Sequence, residues 1–227
     1  QKRTFTRWIN LHLEKCEPPI EVEDLFQDIQ DGHVLMALLE ELSGCKLLHG
    51  FKKSSHRIFR LNNIAKVLSF LEERNVKLVS IDAADVADGN ASIILGLIWN
   101  IILFFQASAA TREHNKAIKK LLQWVQKRTR RFGVAVQDFG KSWASGLAFL
   151  AVIKSIDPSL VDLRKALLRT PRENLEEAFR TAHYSLGIPR LLEPEDSDVS
   201  VNGPDEQSII TYVSQFLEHF PGLEEVE

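Results

Sequence analysis

The feature that most constrains the fold of this chain is an internal repeat. Apolar blocks in the first half of the 227 residues return in the same order in the second half, at offsets of 111 to 116 residues. The paired landmarks are Trp8 with Trp124, Gly32 with Gly146, Asn63 with Asn174, and residues 93–105 with residues 209–220. A shared order at nearly constant spacing predicts two copies of one structural unit.

The spacing of apolar residues within the blocks predicts helices. Phe5, Trp8 and Ile9 share one helical face, while the alternating patterns typical of strands hardly occur. Short polar side chains that can cap free amides predict helix starts at Asn63, Asn90 and Asn174. We therefore predict an all-α fold of two consecutive helical domains. The first occupies residues 1–106, a linker occupies 107–111, and the second occupies 112–227.

The composition is that of an ordinary globular chain, with 44% hydrophobic and 26% charged residues. Only two cysteines occur, which favours a reduced, cytoplasmic setting. The longest apolar run has 13 residues, too few to span a bilayer. No phosphate loop, nucleophile elbow or metal-ligand spacing is present, so we expect no enzyme activity, no cofactor and no metal.

The charge is unevenly distributed, although the net value is only −3. Residues 112–131 contain eight basic side chains and one acid, whereas residues 193–227 contain ten acids and no lysine or arginine. The basic segment predicts a local surface for an anionic partner. Nucleic acid is not expected, because stacking aromatic residues do not accompany the basic run.

Several motifs resemble those of a known family. They are KRTFTRWIN at 2–10, DGN at 88–90 with LGLIWNIIL at 95–103, SWASGLAF at 142–149, IPRLLEPED at 188–196 and PDEQSIITYV at 204–213. Together they are similar to the tandem calponin-homology actin-binding modules of the spectrin and actinin superfamily. The subgroup of calmin and the nesprins is the most similar, although the linker at 107–111 is shorter than expected for it.

This resemblance implies a function in the cytoskeleton. The chain is expected to connect a larger protein to actin filaments, with the first repeat as main binder and the second as modulator. Anchoring of the parent protein to the nuclear envelope or another membrane is a further hypothesis. Two alternatives remain open: a module that binds phosphoinositide head groups, and a scaffold that contacts microtubules or signalling proteins.

The resemblance also implies three actin-contact segments. On the first helix the outward residues are Lys2, Arg3, Arg7 and Asn10, whose alternative role is a solvated helix face. The third segment, at the start of the second repeat, contributes Lys116, Lys119 and Lys120. The neighbouring cations are the candidates for phosphoinositide binding: Lys127, Arg128, Arg130 and Arg131.

The second segment carries evidence of its own. Eleven of the 13 residues in 93–105 are apolar, and a helix that is apolar on every side needs cover on every side. The helix is therefore either a central core helix or a core helix with one face turned to a partner. In the second case the outward face is expected to contain Ile93, Leu97, Asn100 and Phe104.

Trp143, three residues before Gly146, has two interpretations. It is either a core residue or part of a surface where the repeats dock on each other and restrain actin binding.

Overall fold

The computed structural model describes residues 1–106, 114–197 and 204–221, and in these ranges it contains eleven α-helices and no strand. The prediction of an all-α fold is confirmed. The chain divides into two compact units, residues 1–105 and 106–227. The predicted linker, 107–111, lies outside the described residues.

The first unit is built around a buried helix that follows Gly32. Its helices are α1 (Lys2–Leu13), α2 (Leu25–Asp28), α3 (His33–Ser43), α4 (Arg57–Glu73), α5 (Ala83–Ala87) and α6 (Ala91–Gln106). Six successive residues of α3, 34–39, are buried, so α3 forms the centre of the unit. Phe5, Trp8 and Ile9 of α1 are fully buried, as their shared spacing predicts.

The second unit repeats this plan. Its helices are α7 (His114–Arg130), α8 (Leu147–Ile156), α9 (Leu163–Ala166), α10 (Pro171–Leu186) and α11 (Glu206–His219). Phe149 of α8 lies at the centre of an aromatic core. The centroid of its ring is 5.2 Å from that of Phe179 on α10 and 5.8 Å from that of Tyr212 on α11. Burial of the Tyr212 hydroxyl raises the pKa of this side chain far above its usual value.

The four long helices of each unit correspond in order, and burial gives their register. Ile94, Leu97, Ile98 and Ile101 of α6 are fully buried, and the residues 115 positions later on α11 are buried to within 1%. Those residues are Ile209, Tyr212, Val213 and Phe216. The structural register is thus one residue away from the pairing of Ile93 with Ile209 that the sequence blocks indicate.

Two of the three predicted helix starts are wrong. Asn63 and Asn174 lie inside α4 and α10, which begin at Arg57 and Pro171. The Asn63 amide instead joins loops, because its Nδ2 donates to the carbonyls of Asp31 (3.1 Å) and Lys52 (3.0 Å). Asn90 does precede α6, and its side chain accepts the Ile93 amide at 3.4 Å.

Trp143 is a core residue. Its side chain is fully buried, its Nε1 donates to the Asp138 carbonyl at 2.7 Å, and its ring stacks on Phe139 with centroids 5.8 Å apart. Of the two interpretations of Trp143, these contacts within the second unit favour that of a core residue.

Candidate functional site

One side of α6 is apolar and only partly covered. Six residues of the helix are buried: Ile94, Leu97, Ile98, Ile101, Ile102 and Leu103. Eight others are half-buried, of which Phe105 and Gln106 end the helix. We call the remaining six the α6 stripe: Ile93, Leu95, Gly96, Trp99, Asn100 and Phe104. The first unit therefore covers one half of this helix and leaves an apolar surface on the other half.

The sequence located this face only in part. Ile93, Asn100 and Phe104 belong to the α6 stripe, but the placement of Leu97 on the outward face is wrong, because Leu97 is fully buried. Leu97 follows Ile94 by three residues and lies with it on the core side. Sequence reasoning missed Leu95, Gly96 and Trp99. Gly96 was the available signal, since it interrupts the apolar run one turn before Asn100.

Gly96 has no packing role that the first unit requires. A Cβ atom built at this position meets no atom within 4 Å. A glycine in the middle of a helix costs about 0.5–1 kcal/mol relative to alanine. The lack of a side chain at Gly96 therefore leaves a depression in the α6 stripe, where another backbone can come close.

Helix α1 lies directly beside the α6 stripe. The ring of Phe5 stacks on that of Trp99, with centroids 6.2 Å apart and planes inclined by 6°. Two of the predicted contact residues on α1, Lys2 and Arg3, are exposed, and Arg7 is half-buried. The structure thus brings the first and second predicted segments together on one unit.

Lys2 is held in place by the second helix. Its Nζ lies 3.0 Å from Asp24 Oδ1 and 4.4 Å from the centre of the Phe26 ring. The hydrogen bond from Lys2 lowers the pKa of the Asp24 carboxyl. Since both partners are well exposed, this pair fixes the direction of the side chain more than it stabilises the unit.

Asn10 has a structural role in place of the outward one that was predicted. Its Nδ2 donates to the Val22 carbonyl at 3.0 Å, and its Oδ1 accepts the Val22 amide at 2.7 Å. Both polar groups of the amide are therefore occupied by the loop that leads to α2. Asn10 anchors this loop to α1 and has no group directed at a partner.

Helix α7 has one continuous basic face. Lys116, Lys119, Lys120, Lys127 and Arg130 are exposed and recur at intervals of three, four and seven residues, with exposed Gln123 between them. The spacing places the cations predicted for actin and those predicted for phosphoinositides on the same face, and Arg131 follows directly. Cations in the last turn also interact favourably with the helix dipole.

Arg128 is an exception among these cations. It is only 6% exposed, and its guanidinium lies 5.7 Å from the centre of the Trp124 ring. The prediction that it contacts a phosphoinositide is wrong, because the side chain is buried on the core side of α7. Its position seven residues after buried Leu121 already places it on that side.

Two classes of site are missing from the part of the chain that the structure describes. No cluster of three or more histidine, cysteine or acidic side chains in this part could ligate a metal ion. None of its helices combines the length and hydropathy needed to span a bilayer.

Comparison with known proteins identifies relatives over nearly the whole chain. Calmin of Mus musculus is 62% identical over 263 aligned positions that include 99% of this chain and 25% of calmin. Nesprin-2 of Mus musculus is 45% identical over 96% of this chain and 4% of its own length. Microtubule-actin cross-linking factor 1 of Homo sapiens is 44% identical over 99% of this chain and 3% of its own length. The resemblance to calmin and the nesprins is confirmed.

The length of the alignment with calmin shows that the two chains also differ in length within the matched region. The alignment with calmin is longer than the 227 residues of the chain, so calmin contains residues that have no counterpart here. The chain spans 25% of the length of calmin, 4% of nesprin-2 and 3% of microtubule-actin cross-linking factor 1.

A solved structure and a family model agree with the two-unit architecture. The actin-crosslinking core of Schizosaccharomyces pombe fimbrin superposes with a TM-score of 0.70 over 95% of this chain and 47% of the fimbrin chain, at 20% identity, which supports the fold. Calponin homology domains are binding modules and not enzymes. The calponin homology domain model matches residues 1–107 and again 115–222, so the chain belongs to this family and carries two of its domains in tandem.

Proposed function

We propose that this chain binds the side of actin filaments and that its first unit makes the main contact. The chain resembles proteins whose names refer to actin, namely microtubule-actin cross-linking factor 1 and the actin-crosslinking core of fimbrin. Association with the cytoskeleton follows from this proposal.

The observation that carries the assignment to the first unit is the α6 stripe. At the equivalent positions of α11, 115 residues later, Ser208, Thr211 and Gln215 are polar and buried. The first unit therefore has a partly covered apolar helix face that the second unit lacks. An apolar face flanked by a basic helix is suited to a protein surface that combines acidic and apolar groups.

The second unit is proposed to contribute the basic face of α7. Its exposed cations would strengthen the encounter with an acidic filament more than the final affinity. Since the chain matches only a part of calmin, nesprin-2 and microtubule-actin cross-linking factor 1, we further propose that it links a larger protein to filaments. Membrane or nuclear-envelope anchoring of that larger protein belongs to the same proposal.

The two alternatives from the sequence are less well supported. Phosphoinositide binding stays a prediction for Lys127, Arg130 and Arg131 only, because the burial of Arg128 removes one of the four cations. Nothing in the described residues favours a microtubule or signalling scaffold over a filament contact.

A substitution on the α6 stripe tests the proposal in the intact chain. Asn100→Asp preserves side-chain size and introduces a negative charge beside the apolar face. Co-sedimentation with filamentous actin is expected to show at least about tenfold weaker binding. The reason is that the new carboxylate would lose its hydration water on binding and would face an acidic partner. The matched control is Ser214→Asp, at the α11 position that corresponds to Trp99. Equal affinity of the two variants would contradict the assignment of the main contact to the first unit.

A further inference from the structure

Two adjacent leucines of the second unit are unusually exposed. Leu167 has 70% and Leu168 has 89% of its surface open to solvent, directly after α9. The other large apolar side chains that are exposed occur singly in the described residues: Ile58, Val79 and Tyr184. An adjacent pair offers an apolar surface that the fold itself does not use.

The leucines are held on an ordered turn. Asp162 caps α9 by accepting the Arg164 amide at 3.0 Å, and the amides of Leu167 and Leu168 donate to backbone carbonyls at 3.1 Å each. The carbonyl of buried Ala166 accepts Asn174 Nδ2 at 2.9 Å, which ties the turn to α10. A fixed turn presents its apolar side chains without an ordering cost at the moment of binding.

The segment of the chain that contains the leucines is basic, although Asp162 and Glu173 flank it. Residues 164–172 contain four cations and no acid. Arg169 and Arg172 form ion pairs with Glu177 (3.1 Å) and Glu195 (2.8 Å). Arg164 and Lys165 are exposed, and within the described ranges neither has an ion-pair partner. Two uncompensated cations therefore immediately precede two exposed leucines.

We propose that this turn is a contact site for an anionic lipid bilayer. Leu167 and Leu168 enter the headgroup region, and Arg164 and Lys165 bind the lipid phosphates at the surface. A bilayer fits because its interface accepts apolar side chains below a layer of negatively charged headgroups. The leucines match the apolar layer, and the cations match the headgroups. The site is separate from the basic face of α7 and independent of the α6 stripe.

Flotation of the intact chain with lipid vesicles tests this site. The probes are vesicles of phosphatidylcholine alone and vesicles in which about a third of the lipid is phosphatidylserine. The chain is expected to bind the second kind and not the first. The double variant Leu167→Ser with Leu168→Ser is expected to lose at least about tenfold in binding, since each leucine contributes burial of its apolar surface. Arg164→Gln with Lys165→Gln is expected to weaken binding and to reduce its dependence on salt.

The controls separate this turn from other exposed and basic surfaces. Ile58→Ser with Val79→Ser removes two similarly exposed apolar side chains from the first unit and is expected to keep vesicle binding. Melting temperatures verify that the leucine variants remain folded, and their actin co-sedimentation is expected to be unchanged. Absence of vesicle binding by the parent chain, or full binding by the leucine variant, would overturn the proposal. Loss of binding only in Lys127→Gln with Arg130→Gln would assign the lipid contact to α7 instead and overturn it equally.

Discussion

Gly32 and Asn63 approach so closely that a Cβ atom on Gly32 would lie 2.8 Å from the Cβ of Asn63. Gly146 and Asn174 repeat this relationship in the second unit, also at 2.8 Å. Both glycines precede a buried helix and have positive φ, +87° at Gly32 and +82° at Gly146. Each unit therefore has one place where a helix start and a crossing helix meet without room for a side chain.

Alanine at either glycine is expected to destabilise its own unit. Gly146→Ala combines a left-handed backbone with a clash against the backbone of α10, for a loss of about 2–4 kcal/mol in the free energy of unfolding. Urea denaturation measures it. Gly187→Ala is the control, because Gly187 also has positive φ (+72°) but meets no atom within 4 Å. Its expected loss is only about 1–2 kcal/mol. Similar losses for both variants would show that close approach is not the cause.

Gly96→Ala is expected to separate stability from binding. The substitution should stabilise the first unit by about 0.5–1 kcal/mol, because alanine favours the helix and the added methyl group meets nothing. Actin affinity should nevertheless fall, by about tenfold, if a partner backbone occupies the depression in the α6 stripe. Thermal unfolding and co-sedimentation give the two values. Ser69→Ala, on the exposed side of α4, is the control that raises helix propensity without changing actin affinity. Unchanged binding by Gly96→Ala would exclude Gly96 from the contact.

Salt and the α7 cations are expected to act together. Replacing Lys116, Lys119 and Lys120 by glutamine should weaken actin binding about three- to tenfold at low salt, and the variant should lose less affinity than the parent as salt rises. Co-sedimentation over a range of ionic strengths measures both effects. The control replaces three exposed lysines of the first unit: Lys52, Lys53 and Lys77. An equal loss in the control would mean that net charge, and not the α7 face, determines the encounter.

Low pH is expected to reduce the free energy of unfolding of the first unit through protonation of His12. Burial, with a smaller effect from Lys15, lowers the pKa of His12 from 6.5 to about 4, and its ring packs edge-on to Trp8 at 4.7 Å. The unfolded chain therefore binds the proton more readily between these values. Stability is complete above pH 6.5 and falls as the pH approaches 4, by about 1–2 kcal/mol after allowance for the exposed part of the ring.

His12→Gln tests that assignment. Carboxylates titrate in the same range, so the measured quantity is the difference between the parent and variant curves of unfolding free energy against pH. The difference should change between pH 6.5 and pH 4 and be constant above this range. Parallel curves across the range would show that His12 does not contribute to the acid sensitivity.

Apolar spacing was sufficient to predict the long helices but insufficient to orient α6. An amphipathic helix such as α1 reveals its inward face, and Phe5, Trp8 and Ile9 are buried as expected. Helix α6 has almost no polar residue to mark its outward face. From the sequence, Leu97 was therefore placed on this face, where its neighbour Gly96 lies.

The misassigned polar residues have a different physical cause. Asn10 and Arg128 were assigned to partners because their side chains are polar, but one binds a loop and the other packs beside Trp124. Hydrogen bonds to a distant backbone leave no trace in residue spacing. The burial of Arg128 was accessible, since it follows Leu121 and Val125 on the same helical face.

The difference between α6 and α11 suggests how a duplicated chain divides its tasks. Both copies keep the glycine–asparagine crossing, whereas the closing helices differ at the positions of the α6 stripe, where Leu95 and Gly96 correspond to Ile210 and Thr211. Architecture and specialisation are therefore encoded at separate residues. After duplication, one closing helix could change its surface freely while the shared crossing kept both copies folded, so that new binding properties could arise without loss of the scaffold.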